Sequence, residues 1–270
     1  MDSSSTTFVI LLFGAVTIFG VVAIGCSLTI RKQRTRLFTQ GPGHASVEAP
    51  QNPWRRFSCA LAAPYTRVEW TATRGARRSA SAEQTWFGYA AAVAPNVTRQ
   101  SLARDWGVRT PKHAVVKVAE YVQILLARGA ADVSDLREED ATALKTRLVH
   151  AGAPEDAVAD LLAAIAQTPP GLTGDRDATA FDIARLANLI RWSASTGLLP
   201  LAEAQAASDR VGAVAVAVYG SWQDYATSYL AGLRASGVRG TKGYVSGAQW
   251  LLEDPASPWV TESWPAHSVR

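Results

Sequence analysis

Hydrophobic positions fall into two regimes along the chain. From Thr7 to Ile30, 24 consecutive residues carry no charge. From about residue 83 onward, apolar residues recur at three- and four-residue intervals, the spacing of amphipathic helices. Caps and breakers divide this second regime into segments. "TWFGYAAAVA" opens it, and "TRQSLARDWGV" follows the turn residue Asn96. The next helix takes Thr110 as N-cap, Pro111 at its first position and Gly129 as its stop. "SDLREEDATALKTRLVHAG" ends at Gly152, and "PEDAVADLLAAIAQTPPG" runs from Pro154 to a Pro-Pro-Gly turn. "FDIARLANLIRW" (181–192) ends at Gly197, and Pro200 opens the helix after it. Ser221 and Asp224 form a capping box for another, and "YVSGAQWLLED" gives a shorter last helix. Two stretches alternate instead: "YTRVEWTAT" (65–73) predicts a short strand, and the valines of 211–219 fit a strand or a helix.

The uncharged stretch is long enough to cross a bilayer, reaching about 36 Å against roughly 30 Å of hydrocarbon. A cleaved signal peptide would carry a basic leader, but "MDSSS" has none. The same lack argues against a lipoprotein ending at Cys26. Arg31, Lys32, Arg34 and Arg36 follow at once, which places the remainder of the chain on the cytoplasmic side. The expected organisation is a transmembrane helix at 7–30, a basic Gly/Pro-containing linker at 31–82 and a helical domain at 83–270. The fold class is all-α: one N-terminal membrane helix and a cytoplasmic multi-helix domain.

Charge sharpens this division. Residues 31–80 carry a net +8, while 81–270 carry a net −3. The basic character therefore sits beside the bilayer, where anionic lipid attracts each Lys or Arg by about 1 kcal/mol. Membrane lipid is thus one expected partner: either Trp54, beside Arg55 and Arg56, rests at the headgroups, or the segment is a disordered tether. Cys26 in the membrane segment and Cys59 in the linker form no disulfide framework. The Ala- and Arg-rich composition suggests a bacterium, and hence the bacterial cell membrane as the location.

Two groups of residues are candidates for chemistry. On a helix over 181–192, Ile183, Leu186, Ala187 and Ile190 share one face and Phe181 and Trp192 the other, so the helix is central. Asp182, Arg185 and Asn188 form a slanted polar row on it, with Arg191 beyond. Such a row either binds a substrate carboxylate or phosphate or makes structural ion pairs, and the second reading is favoured because structural networks are common. The other group is aromatic. Trp222, Tyr225 and Tyr229 share a face that Gly232 continues, with Trp250, Trp259 and Trp264 downstream. Trp222, Tyr229 and Trp259 could line a groove, but such stripes more often form core.

Other chemistry is not signalled. "RQSLARDWGVRTPKHAVVKV" has helix–turn–helix punctuation, yet its second helix offers only Lys112, His113 and Lys117 in a net acidic domain, so no nucleic acid is expected. The chain has no GxSxG, HExxH, P-loop or GxGxxG signature, and its four histidines show no metal spacing. No cofactor is implied.

"FDIARLANLIRW", "GLLPLAEA" (197–204), "SWQDYATSYLAG" (221–232), "LLEDPASPW" and Trp264, with "WGVRT" (106–110) upstream, together resemble the bacterial domain of unknown function 1266 family over about 86–265. The resemblance implies an all-helical domain, with 211–219 helical, and no known activity. The expected function is a membrane-tethered interaction module with a protein partner. The alternative is an enzyme whose site surrounds Asp182, Arg185 and Arg191.

Overall fold

In a computed structural model of the chain, residues 50–73, 81–134, 138–169, 171–238 and 240–265 are described. The expected transmembrane helix and the basic residues Arg31 to Arg36 lie outside them. Among the described residues, no helix is long and apolar enough to cross a membrane.

The described residues form helices and no strands. In chain order they are α1 (Pro53–Ala60), α2 (Ala63–Ala72), α3 (Ala82–Trp86), α4 (Pro95–Asp105), α5 (Pro111–Asp132), α6 (Glu138–His150), α7 (Glu155–Gln167), α8 (Arg176–Ser195), α9 (Leu201–Val218), α10 (Trp222–Ala235), α11 (Lys242–Glu253) and α12 (Pro258–Thr261).

Helix α8, which contains 181–192, is the axle of the fold. Asp175 caps it by accepting the Ala178 N–H at 3.0 Å, and Gly197 at φ +72° ends it. Helices α2, α4, α5, α9 and α10 all pack on it. Ile183, Leu186, Leu189 and Ile190 are buried among them. The closest approach is to α10. A Cβ on Gly232 would lie 2.1 Å from the Asp177 carbonyl oxygen, so only glycine fits there. Gly232, which continues the Trp222–Tyr229 face, thereby lets the α8 and α10 backbones approach closely.

Several sequence expectations require correction. The stretch 65–73 is helical through Ala72 in α2, not a strand, because Pro64 sits in the helix's first turn and one face of the helix is buried. The described part of the expected linker is ordered core: Trp54, Phe57 and Leu61 are at most 1% exposed. Trp54 therefore packs inside the fold and not among headgroups. The helix at 85–94 stops at Trp86, since the chain turns through 87–94 to bring Tyr89 and Ala90 inward. Gly129 does not stop α5, which continues to Asp132 with Val214 of α9 packed on the glycine. The 211–219 ambiguity resolves as helix through Val218.

Candidate functional site

The polar row on α8 divides into two unlike parts. Asp182 and Arg185 point toward the surface. Arg185 Nη1 lies 3.4 Å from Asp182 Oδ1, and Arg128 Nη1 of α5 lies 3.0 Å from Asp182 Oδ2. The Asp182 and Arg185 side chains keep 21% and 15% exposure. The Arg185 guanidinium rests over the Trp106 ring at 5.1 Å and the Phe181 ring at 5.3 Å. The row's expected buried pair is thus half-buried, and its aspartate answers two arginines.

Asn188 and Arg191 point inward. Arg191 is 2% exposed and donates to the Glu69 carboxylate of α2, to Asn188 Oδ1 at 2.7 Å and to the Ala90 carbonyl at 3.1 Å. Glu69 also accepts from the Trp192 indole at 2.6 Å and from the Ala92 N–H at 3.3 Å. A buried cation needs such a partner, because removing one member of a buried pair costs about 3–5 kcal/mol. The network explains why so apolar a helix carries an arginine at its most enclosed turn. Its three contributors are α8, α2 and the 87–94 turn.

Glu69 is not among the sequence candidates, because the alternation of 65–73 predicts a strand within a linker. Its signal was present. Asn52 caps α1, Pro53 opens it, and Trp54, Phe57 and Leu61 follow at helical spacing. A buried helical pair placed there makes the lone acid between residues 49 and 82 a counter-charge.

The aromatic candidates form core and not a groove. Trp222 stacks on Trp259 at 5.0 Å and meets Trp264 edge-on at 4.8 Å. Tyr225 and Tyr229 are fully buried. The Trp222 indole donates to the Glu262 carbonyl at 2.8 Å, and the Trp259 indole to the Ala60 carbonyl at 3.0 Å. Both indole N–H groups are thereby occupied within the fold.

A second polar group lies between α1 and α9. Asp209 has Arg55 Nε at 3.9 Å. Burial pushes its carboxyl up to about 6, opposed by Arg55 and reinforced by Asp156. Cys59, buried nearby beside Tyr89, has its thiol pushed up to about 12 by burial, which makes it a poor nucleophile. Among the described residues no group of three or more His, Cys, Asp or Glu side chains is placed to hold a metal ion.

No curated protein and no solved structure matches the chain. Residues 71–264, most of the helical region, match the family described as protein of unknown function (DUF1266), and the chain belongs to that family.

Proposed function

We propose that the chain is a membrane-tethered helical interaction module. Residues 7–30 are the anchor, Arg31, Lys32, Arg34 and Arg36 sit against cytoplasmic lipid, and the helical domain lies in the cytoplasm of a bacterial cell. The uncharged 24-residue stretch and the basic cluster directly after it support the tether and its orientation.

One observation carries the interaction reading: the interior candidates are enclosed by the domain's own packing, while a mixed aromatic and basic surface remains outside. Arg191, Trp222, Tyr229 and Trp259 are all buried and bonded or packed within the domain. On α5, Lys117, Tyr121, Ile124 and Arg128 lie within about 60° of one another at about 100° per residue. Ile124 is 48% exposed. Beside this stripe, Trp106 meets Tyr121 edge-on at 5.4 Å and carries Arg185 over its ring. Tryptophan, tyrosine and arginine are the residue types that dominate protein-binding hot spots. The surface therefore suits a protein segment that lays apolar and acidic side chains across Tyr121 and Ile124.

Position-specific photo-crosslinking in native membranes tests this. A photoreactive residue at Tyr121 should give a discrete protein adduct that Arg185→Glu abolishes. The same probe at the exposed Lys145 should give none. Equal adducts at both positions, or none at Tyr121, would remove the interaction reading.

A further inference from the structure

We infer that the folding unit reaches back at least to Asn52, ahead of the family-matched stretch, and that residues 53–73 fill a docking face built to take a helical arm bearing one buried acid. This inference does not depend on the membrane reading. It rests on how many separate elements the arm completes.

At one end of the arm, Glu69 is the acid that Arg191 and the Trp192 indole share. At its bend, Ala60 and Leu61 are the residues whose carbonyls have run out of helical partners. The body supplies donors to both. Trp259 Nε1 donates to Ala60 at 3.0 Å, and the Tyr225 hydroxyl donates to Leu61 at 3.2 Å. At the start of the arm, α1 lies so close to α9 that a Cβ on Gly212 would be 2.4 Å from Ser58 Oγ and 2.9 Å from Trp54 Cζ2. Phe57 meets Trp222 at 5.3 Å and Trp264 at 4.9 Å. Arg56 bridges Glu83 and Glu262, the latter at 2.9 Å.

Helices α8, α10 and α12 thus each present a donor that the arm accepts, and α9 presents Gly212 for close packing of the arm. The face without the arm would hold a cation stripped of its counter-charge, two indoles and a tyrosine hydroxyl stripped of their acceptors, and an apolar cluster open to water. Unpaired buried groups carry their full desolvation penalty, so a partly seated arm is disfavoured. The arm and the body should therefore open together.

The chain contains two cysteines. In the full-length chain in detergent with Cys26→Ser, Cys59 is the one remaining thiol and reports exposure of the arm. Its labelling by a small alkylating reagent should show the same steep denaturant dependence as loss of helicity. Glu69→Gln should raise that labelling by about a hundredfold or more, again in step with global unfolding. Should Glu69→Gln fail to fold, Tyr225→Phe gives the milder test. It removes only the hydroxyl that holds Leu61 and should raise labelling about 5- to 10-fold. Labelling with a shallow denaturant dependence while helicity is retained would show an arm that peels away by itself, and would overturn the inference. Unchanged labelling in Glu69→Gln, or in Tyr225→Phe where that variant is used, would also overturn it.

Discussion

Replacing Asp209 with Asn should change how stability depends on pH. Asp209 is 3% exposed, and its nearest cation, Arg55, stands 3.9 Å away on a partly exposed side chain. Burial raises its pKa from 3.8 to about 6. The folded state therefore holds the proton more tightly than the unfolded chain. The stabilisation is fully present below about pH 4 and is lost as pH rises through about 6. Two pKa units correspond to about 3 kcal/mol in total, of which about 2 kcal/mol separates pH 4.5 from pH 7.5. Groups facing Asp209 modulate this: Arg55 and Arg210 favour its charged form, while Asp156 opposes it. The assay is urea unfolding of residues 50–265 across pH 4.5–8, with wild type and Asp209→Asn in parallel. The difference between the two should shift by about 2 kcal/mol over that range, with the Asn variant gaining relative to wild type as pH rises. Curves that stay parallel at every pH would refute the buried-carboxylate argument.

Other expectations follow from the same geometry. Gly232→Ala places a methyl against the Asp177 carbonyl and should destabilise by at least about 2–3 kcal/mol in urea melts. Arg185→Ala removes a half-buried pair and a ring contact while Arg128 still answers Asp182, so the loss should be only about 1 kcal/mol by the same assay. A chain cut at Ser79 lacks Glu69, Trp54 and Phe57 and should show no cooperative unfolding transition by circular dichroism, whereas one starting at residue 50 should. A reporter fused after Arg270 should be active only in the cytoplasm; activity outside would reverse the orientation read from "RKQRTR".

The regularly spaced helices were legible because their apolar periodicity and caps agree, as at Thr110–Pro111 and Ser221. The central place of α8 was legible too, because apolar residues cover opposite sides of it. Local pattern failed where tertiary contact decides. Asp224 looks like the second half of a capping box, but its carboxylate accepts from the Gly220 N–H at 3.0 Å and pairs with Arg176. Gly129 looks like a stop and is instead a packing site for Val214. The candidate row was correctly placed on α8, yet its spacing could not say which members face inward. That depends on Glu69, 122 residues away from Arg191 in sequence. Arginine-rich flanks made α1 and α2 resemble linker, although Trp54, Phe57 and Leu61 already carried a helical stripe.

The central claim is that the polar residues inside α8 are architecture and not a reaction centre. A double-mutant cycle on Glu69 and Arg191, measured by urea unfolding of residues 50–265, tests it most directly. Glu69→Met and Arg191→Met should each cost about 3–5 kcal/mol, because each leaves the other's charge buried and unpaired. The double replacement should recover most of that loss. Additive losses with the fold intact in all three variants would contradict the account, and would return Arg191 to the set of groups held ready for a ligand.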